Sequence, residues 1–440
     1  MSNILKDYQQ LHTEDLAVKL SKNGVCFDAS DTGVGKTYSA IATALKLNKT
    51  IFLVCPRNIV SFWKSIISMF GVELICISTY HLIIKGKSID NKGKSIDCPY
   101  MRIEKSANVR YKWDIPDNTL VIFDEVHKCS NYGSYISEVF LSLKNVYNNN
   151  INILLISATI CENPAKFRLF SVFLKWFDSY YSVPNWLEKT YNPKSASDII
   201  MKNLISKCLI SKIKISDLGD DFQKNQVIAE YYDINKNILT KIDALHTKIK
   251  NSLLKIDNKI DNDKQQKKTN GFISSMRERQ QIEILKIPIF VDLVAEYLEN
   301  NFSVVVFVNF VETLEILSKE LKINCICYGE ISNKLKEKNI SDFLEDRSRV
   351  IICTIGTCGE SISLNDKYGR FKRVSLINPQ WSSIKLIQAC GRNSRIDSVS
   401  QSLNVIVYAN TPMEKLMCNK IKDKCSLYNQ LTDADLSYDE

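Results

Sequence analysis

A chain of 440 residues with 45% hydrophobic and 24% charged side chains can build two or three domains with full cores, which excludes a disordered or fibrous polypeptide. Its net charge of +9 suits a polyanionic partner without requiring one. The 14 cysteines are scattered, many inside apolar runs such as "IFLVCP" and "RVIICT", and none has zinc-ligand spacing, so they read as buried thiols of a reducing, intracellular compartment. With no signal-peptide pattern and no apolar stretch near 18 residues, neither secretion nor membrane spanning is expected. His12, His81 and His246 are too dispersed for a metal site and read as structural.

In chain order, the first informative stretch is "NGVCFDAS", an apolar run that predicts a buried strand, followed by "DTGVGKT" and then "TYSAIATALKL" at helical spacing. A glycine-containing loop between a strand and a helix is a phosphate cradle. Gly33 and Gly35 let backbone N–H groups turn inward, the new helix adds its positive end, and Lys36 brings a mobile charge to the outer phosphates. Thr37 would hold Mg2+. Ser30 stands where this loop pattern usually begins with Gly or Ala.

Further strands are predicted at "TIFLVCP", "ELICIST", "TLVIFDE" and "NILLISAT", alternating with helical patterns, so the first two hundred residues read as a parallel α/β sheet. An insertion holds the near-exact repeat "KGKSIDNKGKSID", expected to be a solvated surface loop. "TLVIFDEVHK" delivers Asp124 and Glu125 to a strand end, where Asp124 can hold Mg2+ and Glu125 can orient and deprotonate a water attacking the γ-phosphate. "LLISAT", residues 154 to 159, carries little weight alone. Residues 206–284 turn Lys-, Asp-, Asn- and Gln-rich with mixed charge and predict a helical linker. The α/β alternation then resumes at "SVVVFVNF", "NCICYGE", "RVIICTIG", "RVSLINP" and "NVIVYAN", without a phosphate loop. In "QACGRNSR", Arg392 and Arg395 are three apart, and a helix through them would put both on one face.

In this order and at these separations, "DTGVGKT", "DEVH", "SAT" and "QxxGRxxR" resemble motifs I, II, III and VI of the superfamily-2 helicases and translocases, with "DEVH" as a DEAH-like box. "LKDYQQ" is similar to the element in which a glutamine reads adenine, "LVCPRNIVSFWK" to motif Ia, "CISTYHLI" to motif Ib, "VVVFVNFVETLEIL" to motif IV and "TIGTCGESISL" to motif V. "RERQQIEILKIPIFVDLVAEYLENN" and "SLINPQWSSIKLIQACGRNSRID" resemble the chromatin-remodeller-like branch and its viral relatives. Ile160 and Cys161 stand where that branch has Thr-Pro, and Ser361 and Ser363 where it commonly has Gly and Asn.

The resemblance implies an α/β protein of two RecA-like parallel-sheet domains in tandem, residues 1–205 and 285–440, with a helical linker or insertion at 206–284. It implies an ATP- and Mg2+-dependent nucleic-acid motor. Gln9, Thr32, Gly33, Val34, Gly35, Lys36, Thr37 and Gln388 would contact the nucleotide, Thr37 and Asp124 the metal, and Glu125, Lys36, Arg395 and Arg392 would serve catalysis. The nucleic acid would be held mainly through phosphates, with DNA favoured over RNA. Two alternatives are a phosphate-loop kinase or switch, which does not account for the second α/β half or the distant "QxxGRxxR", and a catalytically silent scaffold, against which the intact Lys36, Thr37, Asp124, Glu125 and Arg395 argue.

Overall fold

The structure, a computed structural model, describes residues 4–105, 109–148, 150–158, 160, 164–183, 193–221, 223, 225–257, 264–358, 362–380, 382–395, 397–432 and 438–439. Thr159, Cys161 and Ser361 lie outside them. The chain divides into two units, Met1–Gly219 with Ser426–Asp435, and Asp220–Cys425 with Leu436–Glu440.

The first unit carries β1 (Val25–Asp28), β2 (Thr50–Cys55), β3 (Leu74–Thr79), β4 (Lys87–Ile89), β5 (Ser95–Asp97), β6 (Met101–Lys105), β7 (Val109–Trp113), β8 (Thr119–Asp124), β9 (Ile151–Ile156) and β10 (Ile210–Ser211). Six of these form one parallel sheet in the order β10-β1-β9-β8-β2-β3. Its strands read as unbroken apolar runs because both faces are covered. Side chains alternate between two cores. Phe27, Phe52, Val54, Phe123 and Leu155 meet Phe140, Phe170 and Phe173 on one face. Cys26, Leu53, Ile122 and Leu154 meet Leu16, Leu20, Ile41, Trp63 and Ile67 on the other.

The repeat "KGKSIDNKGKSID" is not a solvated loop. Its two copies pair with each other as the antiparallel hairpin β4–β5, Ser88 opposite Ile96, and the chain turns between them at Gly93 with φ 80°. Ser88 and Ile89 of the first copy are buried while the second copy is exposed. Duplicating Lys-Ser-Ile-Asp supplies two short segments of equal length that pair across the turn. A second hairpin, β6–β7, follows.

The second unit holds β11 (Asn225–Tyr232), β12 (Phe302–Val308), β13 (Ile326–Cys327), β14 (Val350–Thr354), β15 (Lys372–Ile377), β16 (Ser402–Ala409) and β17 (Tyr438–Asp439). These make a second parallel sheet in the order β13-β14-β12-β15-β16-β11-β17. Val304, Val306 and Val308 pack with Phe290, Leu293, Leu314 and Leu317 of the helices Ile287–Glu299 and Val311–Leu321. The stretch 206–284 is helical over Lys236–Asp257 and Lys264–Leu285, but it also gives β10 to the first sheet and β11 to the second. β10 is two residues long and β11 mixes polar with apolar positions, so neither leaves the continuous run that marks the other strands. Among the described residues, no helix is long and apolar enough to cross a membrane.

Candidate nucleotide-binding and hydrolysis site

At the end of β1 the chain enters the loop 30–35 and then the helix Lys36–Lys46. Gly33 and Gly35 have φ of 96° and 91°, a backbone region open to glycine. Gly35 is doubly constrained, because a Cβ there would stand 2.2 Å from Gln9 Nε2. That contact exists because Gln9 Nε2 and Tyr8 Oη both donate to the Val34 carbonyl, at 2.9 and 3.0 Å, while Gln9 Oε1 accepts from Lys6 N–H at 3.1 Å. Val34 itself is buried and meets these donors through its backbone. Gln9, expected to read adenine, is thus a buried strut of the phosphate loop in this structure. Gly35→Ala is expected to weaken ATP binding at least tenfold and to destabilise the domain by about 1–3 kcal/mol. Gly71→Ala is the control, since φ is 67° there but a Cβ meets nothing within 4 Å, so thermal melts and ATP titrations of the two variants separate backbone strain from the clash with Gln9.

Lys36 is folded back on its own loop, with Nζ donating to the carbonyls of Ser30 at 2.8 Å and Asp31 at 2.9 Å. Burial pulls its ammonium below the ordinary lysine pKa, while the carboxylates of Asp28, Glu125, Asp31 and Asp124 oppose that shift. Thr32 and Thr37 are partly exposed at the loop and in the first turn of the helix.

The second half of the site comes from β8. Asp28 of β1 and Asp124 of β8 are both in register with Ile156 of β9, so the phosphate loop and the Asp-Glu pair leave the same sheet edge two strands apart, about 10 Å. Trp63, fully buried in the helix Val60–Phe70, donates from Nε1 to Asp124 Oδ2 at 2.8 Å, and Tyr80 Oη donates to the Asp124 carbonyl at 2.6 Å. Burial, and next the neighbouring Glu125, push the Asp124 carboxyl up to about 7 against the pull of Trp63 and Lys36. The crowded carboxyls of Asp124 and Glu125 are hard oxygen donors of the kind that fit Mg2+, and Asp124, with the hydroxyl of Thr37 from the loop, would hold it. When bound, such an ion neutralises phosphate charge.

Glu125 has φ 60°, an uncommon conformation for a residue with a side chain and one that clusters at functional sites. Its Oε2 lies 3.3 Å from His127 Nδ1, which is 2.9 Å from Ser157 Oγ, so the "DEVH" and "SAT" segments are joined through one imidazole. Ser157 N–H in turn donates to the Asp28 carbonyl at 3.1 Å. Trp63 and Tyr80 were legible only as parts of motifs Ia and Ib. Their support of Asp124 had no signal in the sequence.

In the second unit the helix ends at Cys390, so Arg392 and Arg395 do not share a helical face as expected; Gly391 caps the helix and a turn follows. They converge all the same. Arg392 donates from Nε to Gln388 O at 2.8 Å and from Nη1 to Ile362 O at 3.3 Å. Arg395 donates from Nη2 to Ile362 O at 3.3 Å and from Nε to Ser363 Oγ at 3.1 Å. Arg392 and Gln388 are buried, whereas Arg395 is partly exposed. Glu283, missed in the sequence, is 1% exposed and accepts from the N–H groups of Asn309 and Phe310 and from Asn378 Nδ2, tying the ends of β12 and β15 together.

Residues 10–167 match the family model of the DEAD/DEAH box helicases, and residues 283–397 match that of the helicase conserved C-terminal domain. A protein of Acanthamoeba polyphaga mimivirus named "Putative ATP-dependent RNA helicase" is 29% identical over 98% of this chain and 84% of its own length. Among solved structures, S. cerevisiae Dbp5 bound to RNA and ADP BeF3 is similar at 12% identity over 91% of this chain and 82% of that one, with a TM-score of 0.44. The Sulfolobus solfataricus SWI2/SNF2 ATPase core in complex with dsDNA is similar at 15% identity over 98% and 97%, with a TM-score of 0.35. With the two family models spanning more than half of the chain and a parallel sheet of the RecA-like type in each unit, this protein belongs to the superfamily-2 helicases of the DEAD/DEAH-box kind, ATP-dependent enzymes that act on nucleic acid.

Proposed function

We propose that this chain is a motor that binds Mg2+-ATP on its first domain through residues 32–37 and hydrolyses it with Glu125 as the water-orienting base. Arg395 would supply positive charge to the transferring phosphate, and nucleic acid would stimulate turnover through backbone contacts in the segments resembling motifs Ia, Ib, IV and V. The observation that carries this reading is the shared register of Asp28 and Asp124 on Ile156, which brings the phosphate loop and the Asp-Glu pair to one sheet edge.

RNA is the substrate that the name of the mimiviral relative favours. The expected preference for DNA has no support in that relative, and DNA is the second reading on the remodeller-like segments "RERQQIEILKIPIFVDLVAEYLENN" and "SLINPQWSSIKLIQACGRNSRID". Steady-state ATP hydrolysis measured alone, with single-stranded RNA and with duplex DNA tests both. Stimulation of tenfold or more is expected, larger with RNA and falling as salt rises. Equal rates in all three would leave a nucleotide switch as the better account.

A further inference from the structure

At the root of the phosphate loop lies a polar cluster, buried except at Asp15, to which three chain segments contribute. The helix Asp7–Asn23 gives His12 and Asp15, the end of β1 and the residues after it give Asp28 and Ser30, and β10 gives Ser211. Asp28 and Ser30 are fully buried, and His12 and Ser211 nearly so. His12 Nε2 is 3.2 Å from Asp28 Oδ1 and 3.3 Å from Ser30 Oγ, and its Nδ1 is 3.1 Å from Ser211 Oγ. Ser211 Oγ donates to Asp15 Oδ2, so towards His12 it can only accept, as the Asp28 carboxylate does on the other side. His12 therefore bridges the Asp28 carboxylate on one side and the Ser211 hydroxyl on the other.

A carboxylate at the end of a strand otherwise made of Val25, Cys26 and Phe27 is expensive to bury, and burial alone would raise its pKa. His12, Lys36 and Ser30 hold it below the ordinary carboxylate range instead. Its bonds run into the loop, since Ser30 N–H donates to Asp28 Oδ1 at 3.1 Å. The loop is laced to the segment after β10 as well, with Ile213 N–H donating to Ser30 Oγ at 2.9 Å, Asp31 N–H to Ile213 O at 3.0 Å and Ile215 N–H to Asp31 Oδ2 at 2.8 Å. His12 follows Gln9 by three residues on the same helix face. One helix thus grips the loop at its apex through Gln9 and Tyr8, and at its root through His12.

We propose that His12 and Asp28 are positioning residues for ATP: the pair pins the root of the phosphate loop to the helix Asp7–Asn23 and to β10, so that its N–H groups meet the phosphates already arranged. The inference rests on reading residues 30–37 as the ATP phosphate loop. A loop ordered before binding spares the ligand the entropy of ordering it, so loosening the root should appear in affinity before chemistry.

The test is titration of the full chain with a fluorescent ATP analogue in the presence of Mg2+, alongside thermal melts and steady-state kinetics, for wild type, His12→Ala, His12→Gln and Asp28→Asn. Failure of the wild type to bind the analogue would remove the ATP reading itself. Given wild-type binding, His12→Ala and Asp28→Asn are expected to weaken affinity and raise KM on the order of tenfold, with kcat at saturating ATP within about twofold. His12→Gln, which keeps a donor and an acceptor, should recover much of the loss. Unchanged affinity in folded His12→Ala would overturn the proposal. So would tighter binding by Asp28→Asn, because the carboxylate would then be only a charge that repels phosphate. An equal loss in His12→Ala and His12→Gln that tracks their melting temperatures would overturn it too, by showing a purely structural role.

Discussion

Glu125→Gln is expected to bind ATP with near wild-type affinity and to lose hydrolysis by roughly two to four orders of magnitude. The amide matches the carboxylate in shape, so His127 keeps a neighbour at the position it holds now, 3.3 Å from Oε2. What disappears is a group able to take a proton from the attacking water. The residue's φ of 60° turns the chain sharply after Asp124 and sets the two carboxylates apart in role. Asp124 is anchored by Trp63 at 2.8 Å, and Glu125 faces His127 at the motif II and motif III junction. Single-turnover hydrolysis with a parallel nucleotide titration separates the two effects, and unimpaired turnover would remove Glu125 from the chemistry.

Arg395→Ala is expected to lower nucleic-acid-stimulated turnover about a thousandfold, the scale of an arginine that stabilises charge on a transferring phosphoryl group. The structure separates it from its neighbour. Arg392 is 2% exposed and is held by the carbonyls of Gln388 and Ile362, so truncating it leaves buried acceptors unmet and should lower the melting temperature. Arg395 is partly exposed and rests on Ile362 O and Ser363 Oγ, partners that a phosphate could outcompete. Its loss should therefore leave stability and basal ATP affinity near wild type while stimulated kcat falls. Arg395→Lys should rescue little, because an ammonium lacks the planar fork. Full stimulated turnover in Arg395→Ala would mean that this arginine has no part in the reaction.

The long parallel strands were legible because burial on both faces demands unbroken apolar runs, and "TIFLVC", "TLVIFD", "INILLI" and "FSVVVFV" have no other use. β10 escaped because two residues make no pattern, and β11 because its polar positions break the run. The paired repeat reads as a surface loop because no apolar strand run precedes either copy, and the burial of Ser88 and Ile89 comes from tertiary packing that the segment itself does not signal.

The sequence by itself determined where the candidate chemistry lies: a glycine-turned loop ending in Lys36 and Thr37, an acid pair after a buried strand, and two arginines after Gly391, because each of these is a local arrangement of neighbouring residues. Tertiary structure alone decided what braces them. Trp63 on Asp124, Gln9 against Gly35, His12 on Asp28, and Glu283 across Asn309 and Asn378 join residues 16 to 95 positions apart, and contacts of that kind depend on strand register and helix face, which leave no mark on the residues nearby.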